Sequence, residues 1–411
     1  MNDDIDAFPP AGIPQPEARE SDGIQDNSIW SEESLIKLSC ARGLPVFAAR
    51  DLKPLGPAVT EIADTTVTLR GTLRDAMRIN LWSRIATRVL WRIGTGWARD
   101  LSALYDLVNR YPWERYLPKD GYFTVNNATR QETVRDTRLP SLCTKDAVAD
   151  RIRAACGRRP DSGGEFKGAA LFVWWQNDRV ELYLDTTGEP LSKRGYRLQP
   201  WKAPMQETLA AACIAIAEWN PDTPFVAPMC GSGTPAIEAA MIAANRAPGI
   251  LREHFCFMGL QGYADESIDK EWEAMRQQAV ARERRTGLPP IVATDIAPEA
   301  IDAAKANAAR AGVSDLIRFD ACDFASTEIP QGRGVVFLNP EYGERMGEAA
   351  RLVETYRRVG DFLKQRCAGY RGAVLTGNLD LARRIGLHSR KRHVLDNGPI
   401  SCRLLLFDLY R

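Results

Sequence analysis

No run in this 411-residue chain approaches the roughly eighteen consecutive apolar residues that a membrane helix needs, so a spanning segment is excluded from the outset. Histidine is scarce: there are three, and the pair in HSRKRH, His388 and His393, has no cysteine or acidic cluster beside it, which excludes a metal centre. The nine cysteines are odd in number, scattered, and nowhere spaced Cys-x-x-Cys, a pattern of reduced core thiols rather than disulfides or zinc ligands. The opening MNDDIDAFPP shows neither the basic n-region nor the apolar h-region of a secretory signal, and a cytoplasmic protein is expected.

What is present describes an ordinary soluble protein: 45% hydrophobic residues, 26% charged, and a net charge of +1. That near-neutrality hides an asymmetry. Residues 1–28 carry Asp3, Asp4, Asp6, Glu17, Glu20, Asp22 and Asp26 against Arg19 alone, together with four prolines, and are expected to form a disordered acidic tail on a mildly basic body. The length suggests two or three domains. Residues 29–94 read as a small α+β unit: a strand at LIKLSC, a Pro/Gly-marked turn, a strand at VTLRG, then a helix that gives way to a strand at Arg88–Ile93. Residues 95–200 read as a second α+β module. It has helices near Leu101–Tyr111 and Lys145–Ala155, a strand at Tyr122–Val125, and a hairpin of ALFVWWQ and RVELYLDTT turned by Asn177 and Asp178. Residues 201–411 alternate strands (PFVAPM, IVAT, LIRF, VVFL, GAVLTG, then RKRHVL and SCRLLLFDL) with helices, the grammar of an α/β domain.

In open parallel sheets, ligands bind beyond the carboxyl ends of the strands, and four successive strand ends here carry chemistry. The first runs Pro228-Met229-Cys230-Gly231-Ser232-Gly233 straight into a helix, where glycine permits a tight turn and exposed N–H groups attract negative charge. The second ends at Asp295, a carboxylate suited to accept from both hydroxyls of a ribose. It lies much further from the glycines than the roughly twenty residues of a nicotinamide-binding unit, which argues against a dehydrogenase. The third ends at Asp323, which suits an adenine amino group and equally suits a helix cap. The fourth is VVFL followed by Asn339, Pro340, Glu341 and Tyr342, which also reads as a plain turn with a core-capping tyrosine.

From about Leu35 to the last strand, the chain resembles the bacterial THUMP-domain RNA guanine-N2 methyltransferases, the family that includes the 23S ribosomal RNA enzyme. The stretch PMCGSGTPAIEAAMIAANRAPG carries this most specifically, supported by KDAVADRIR, KRGYRL, APMQETLAAA, VATDIAPEAIDAAKANAARAG and LDNGPISCRLLLF. The resemblance implies a ferredoxin-like portion at 29–94, an RNA-binding THUMP portion at 95–200, and a class I Rossmann-like methyltransferase domain at 201–411 using S-adenosyl-L-methionine. By the same resemblance Pro228, Cys230, Gly231, Ser232 and Gly233 wrap the methionine end of the cofactor, Asp295 holds its ribose and Asp323 its adenine. Asn339, which also borders the cofactor, and the Pro340 carbonyl accept hydrogen bonds from the target amine, and Tyr342 stacks on the base. Two positions depart from the family pattern: Ala227 replaces an acidic residue, and Glu341 a second proline.

For RNA contact the sequence offers Arg130, Arg135, Arg138, Lys145, Lys193, Arg194 and Arg197, since phosphate contacts supply most non-specific affinity. The expected activity is methylation of guanine N2 in structured RNA, ribosomal rather than transfer RNA, without metal or membrane partners. The alternative, prompted by Ala227 and Glu341, is an RNA-binding protein whose methyltransferase fold is weakened or inactive. The ten tryptophans read as core and hairpin packing.

Overall fold

Alternating apolar residues in the first half of the chain and short continuous apolar runs in the second give two sheets of different kinds. The structure, a computed structural model, describes residues 28–201, 205–265, 267–341 and 349–410. The acidic tail up to residue 27 and Tyr342 lie outside the described residues.

The first sheet contains β1 (Ser34–Ser39), β2 (Val59–Ile62), β3 (Thr66–Gly71), β4 (Arg88–Trp97), β5 (Tyr122–Arg130), β6 (Asp161–Ser162), β7 (Ala169–Gln176) and β8 (Arg179–Asp185). Their spatial order is β2-β3-β1-β4-β8-β7-β5-β6. One strand therefore joins what the sequence reading divides: β4 runs unbroken through residues 94 and 95, pairing with β1 at one end and with β8 at the other. The helix Leu73–Trp82 begins with a capping box, in which the Thr72 hydroxyl accepts from the Asp75 N–H and the Asp75 carboxylate from the Thr72 N–H. Its residues Leu73, Ala76, Met77 and Asn80 recur at helical spacing and are all buried. The segment read as a Pro/Gly-marked turn instead contains the helix Pro45–Leu52 and β2, because Pro45 sits in the first turn, where its missing N–H is harmless. Strand β5 extends to Arg130 and the following helix spans Leu139–Cys156, both longer than their apolar patterns indicate.

The second sheet comprises β9 (Phe225–Pro228), β10 (Ile291–Asp295), β11 (Ile317–Ala321), β12 (Val335–Leu338), β13 (Arg371–Thr376), β14 (Lys391–Asn397) and β15 (Ile400–Asp408). The order is β11-β10-β9-β12-β13-β15-β14, with β15 antiparallel to β13 and the strands before it parallel. Both faces are covered. Phe225, Ala227, Ala293 and Phe337 enter one apolar cluster, while Val226, Val292, Val336 and Leu338 enter the other, which explains the continuous apolar runs. Strand order reverses between β9 and β12, and the crevice beyond their carboxyl ends is where such sheets take ligands.

Candidate active site

Strand β9 is buried along its whole length and ends at Pro228 in a turn of unusual backbone. Met229 (φ 58°), Gly231 (φ 55°) and Gly233 (φ 86°) all take left-handed conformations. The turn is anchored to the neighbouring strand, since the Cys230 N–H donates to the Thr294 carbonyl and the Gly233 N–H to the Cys230 carbonyl, each at 2.9 Å. The two glycines serve different ends. A Cβ on Gly233 would come within 2.8 Å of the Ala304 methyl, so that glycine lets the helix Thr234–Ala243 pack on the helix Pro298–Ala311. Among the described residues a Cβ on Gly231 would meet only Trp201, at 3.9 Å, so they leave the space before this glycine open. Burial pushes the Cys230 thiol far above its ordinary value, and it lines the turn as a neutral group.

Asp295, at the end of β10, accepts from the Gly231 N–H at 2.9 Å through Oδ2 and from the Ala297 N–H at 3.1 Å through Oδ1. Its carboxylate is thus locked against the glycine turn. Asp323 caps the short turn after β11, Oδ1 accepting from the Ala325 N–H at 2.9 Å and from Arg358 Nη2 at 2.7 Å. Capping and ligand roles are compatible here, because Oδ2 has no hydrogen bond among the described residues. Partial burial, the largest single influence on this carboxyl, pushes it upward. The hydrogen bonds from Arg358 and Ala325 and the charge of Arg358 together outweigh it, so the group lies below its ordinary value.

Strand β12 aligns with β9 through Val335 opposite Phe225 and Val336 opposite Val226. Continuing that register places Asn339 level with Met229, on the same rim as the glycine turn. Asn339 Oδ1 is buried and has no hydrogen-bond partner among the described residues, and Pro340 is buried beside it. Glu341 is exposed, and its carboxylate accepts from Arg351 at 2.9 Å. Ala227 is 1% exposed in the middle of β9, paired with Ala293 and surrounded by core.

The basic candidates divide sharply. Arg194 is 1% exposed and is not a surface contact. Its guanidinium reaches Glu238 at 3.4 Å and donates to the carbonyls of Leu191 at 2.9 Å and Arg84 at 2.5 Å. It ties the first sheet's unit to the helix that leaves the glycine turn. Arg197 touches the same helix through the Thr234 hydroxyl at 3.2 Å and otherwise donates to Glu207 at 2.9 Å and to the Met205 carbonyl at 2.7 Å, at the start of the helix Glu207–Ile216. Arg138 pairs with Asp136, Lys145 with Asp146 and Lys193 with Glu189. Arg130 and Arg135 are exposed without an ion pair among the described residues.

Sequence reasoning passes over Asn307. Buried on the helix Pro298–Ala311, its Oδ1 accepts from the N–H groups of Leu198 (2.8 Å) and Gln199 (3.1 Å). Its Nδ2 donates to the carbonyls of Gln199 (3.0 Å) and Ser232 (3.1 Å), binding the incoming chain to the glycine turn. The available signal is an amide three and four residues beyond Ala304 and Ala303, on the apolar face of PEAIDAAKANAARAG. Arg358 is missed as well, since nothing in its helix hints that it reaches Asp323.

A family model described as the RMKL-like methyltransferase domain matches residues 194–405, just over half of the chain. The chain belongs to this family. Ahead of its methyltransferase domain, models of the RlmL ferredoxin-like domain and the THUMP domain match residues 36–90 and 98–185. Among family relatives, the ribosomal RNA large subunit methyltransferase K/L of Methylococcus capsulatus is 37% identical over 90% of this chain and 50% of its own length. The chain spans about half the length of such K/L relatives. The slr0064 protein of Synechocystis sp., which carries an RNA methyltransferase name, is 35% identical over 90% of this chain and 95% of its own. The crystal structure of SMU.472, solved in complex with SAH, shares the fold with a TM-score of 0.83 at 28% identity, covering 92% of this chain and 99% of that one. No helix among the described residues is long and apolar enough to cross a membrane, and none of them form a metal-binding cluster.

Proposed function

We propose that this chain methylates the exocyclic N2 amine of guanine in structured RNA, 23S ribosomal RNA foremost, with S-adenosylmethionine as donor. The observation that carries this reading is Asn339 Oδ1: a buried amide oxygen without a partner among the described residues, on the rim that holds the glycine turn. An orphaned acceptor in such a place costs about 1–3 kcal/mol, a cost that an incoming N–H donor removes. The site fits the cofactor. Gly231 leaves room for it, Asp295 suits the ribose, and Oδ2 of Asp323 is available to an adenine amine.

The bound cofactor supplies an electrophilic methyl group on a sulfonium that is already a good leaving group. The protein's own work is positioning. Asn339 Oδ1 and the Pro340 carbonyl accept the two N–H groups of the amine, turning its lone pair toward the methyl carbon at near-attack distance, roughly 3 Å. No strong base is needed, because the N–H acidity rises as the new N–C bond would form: the two acceptors would stabilise the developing positive charge, and one N–H proton would be released to solvent. The base must leave its stack to reach the rim, flipped or drawn from an unpaired region. Glu341 faces solvent and Arg351, so its charge is answered away from the amine, which supports turnover over a scaffold role.

The test is incubation of the chain with RNA lacking the modification, followed by mass spectrometry of the nucleosides. N2-methylguanosine should form, and Asn339→Ala should lower the rate about 100- to 1,000-fold while cofactor affinity by calorimetry stays unchanged. A methylated adenine product would refute the guanine assignment. Unchanged turnover in the variant would remove Asn339 from the mechanism, and absence of cofactor binding at millimolar concentration would leave the scaffold reading.

A further inference from the structure

We propose that one face of the first sheet, at the end where β7 turns into β8, is a platform for single-stranded RNA, with bases stacking on Trp97 and Trp174 and phosphates held by Arg130 and Arg179. It builds on the RNA reading above and adds the surface that holds the strand.

The two faces of this sheet carry separate apolar clusters. On one, Ile36, Leu38, Trp91, Leu171, Val173 and Trp175 pack with residues of the helices Leu73–Trp82, Leu101–Asn109 and Leu139–Cys156. On the other lies a small cluster of Leu90, Phe172 and Tyr183, edged by Ala128 and Trp174. Residues paired across a ladder share a face, so the register maps this second side in rows. Trp97 on β4 lies opposite Arg179 on β8, which lies opposite Gln176 on β7, which lies opposite Arg130 on β5. In the next row Glu181 faces Trp174, and in the one after it Tyr183 lies between Arg92 and Phe172.

Trp97, the last residue of β4, is 75% exposed, and an indole so displayed is idle as a core residue. The expectation that the tryptophans serve packing fails for this one. The charge around it suits a polyanion. Glu181, the carboxylate between the rows, is answered by Lys37, by Arg179 at 3.2 Å and by the Tyr183 hydroxyl at 2.6 Å. Arg130 and Arg92 remain in surplus, without ion pairs among the described residues. Lys37 Nζ lies 4.8 Å from the centre of the Trp174 ring, steadying that indole in place. Two indoles two strands and one row apart, roughly 10–12 Å by strand spacing, with Arg179 on the strand between them and Arg130 at the far end of the Trp97 row, reproduce how sheets bind single strands: aromatic faces take bases, and cations track the backbone.

The experiment measures binding of a fluorescein-labelled, unstructured 12-nucleotide RNA to the full chain by anisotropy across a salt series. Trp97→Ala should weaken binding about tenfold and Trp97→Phe should recover most of it, as base stacking requires. Circular dichroism melts of each variant accompany the titrations and separate loss of folding from loss of binding, and Arg130→Ala with Arg179→Ala gives an independent reading. That double variant should flatten the slope of log affinity against log salt by about 0.7 per lost phosphate contact. Wild-type binding with no loss in Trp97→Ala and an unaltered salt slope overturns the platform and leaves the RNA function standing. No RNA binding by the wild type overturns both. A change in sedimentation without a change in RNA affinity assigns the face to self-association instead.

Discussion

Replacing Arg194 with methionine discriminates most directly between its two readings, as a basic RNA contact and as a buried clamp. In the structure Arg194 and Glu238 are 1% and 0% exposed. The substitution keeps an apolar stem of similar length but removes every donor, stranding the carbonyls of Leu191 and Arg84 and leaving Glu238 with the Tyr196 hydroxyl at 3.0 Å. Breaking a buried pair from one side typically costs about 3–5 kcal/mol. Arg84, itself buried and close enough to feel the charge of Glu238, still offsets part of that charge, which sets the expectation near the lower end, about 3 kcal/mol. Urea denaturation followed by fluorescence, with the loss read from the midpoint at constant slope, measures it. Adding Glu238→Leu to the same chain should restore most of the loss, because a buried pair replaced as a whole by apolar groups is close to neutral. A variant within about 0.5 kcal/mol of wild type, the usual range for surface substitutions, combined with weaker RNA binding, would refute the clamp and return Arg194 to the RNA-facing surface.

Further outcomes follow from the rim. Gly231→Ala forces a side chain into a left-handed backbone with open space before it, so stability should fall by about 1–2 kcal/mol. Affinity for S-adenosylhomocysteine should fall at least tenfold by calorimetry, and unchanged affinity would mean that the cofactor lies elsewhere. Asn307→Ala removes four hydrogen bonds between the chain at 198–199, the helix and Ser232. It should cost about 1–3 kcal/mol and raise the cofactor dissociation constant, measured by thermal shift and calorimetry. For Asp323 the folded carboxyl lies below its ordinary value, so its ionised form persists as pH falls past that value and is lost only at the lower one. Cofactor affinity should therefore be flat between about pH 8 and 5 in the wild type, whereas Arg358→Ala should shift the acid-side loss toward higher pH. An identical profile in that variant would show that Arg358 does not hold Asp323.

The strand ends were legible because buried parallel strands are short apolar runs, and whatever interrupts them abruptly sits at the rim. Asp295 and Asn339 were visible in this way, and Gly231 and Gly233 declared a turn before any coordinate was known. Asp323 was ambiguous between cap and ligand group for a good reason: one oxygen caps and the other is left over. Arg194 escapes a sequence reading because a run of basic residues carries no mark of burial. Lys193, one position earlier, is exposed and Arg194 is enclosed, a difference set by which side of the linker meets Glu238.

Periodicity and local chemistry, which act between residues close in the chain, determined by themselves the two kinds of sheet, the helix that follows the glycine turn and the order of the rim loops. Only the tertiary structure decided that β4 would weld the first two units into one sheet, that Asn307 would pin a segment more than a hundred residues away, and that Trp97 would stand exposed at the end of its strand. Those outcomes depend on which partner arrives from a distance to bury a group or leave it in water, and a linear pattern of polar and apolar residues carries no record of the partner.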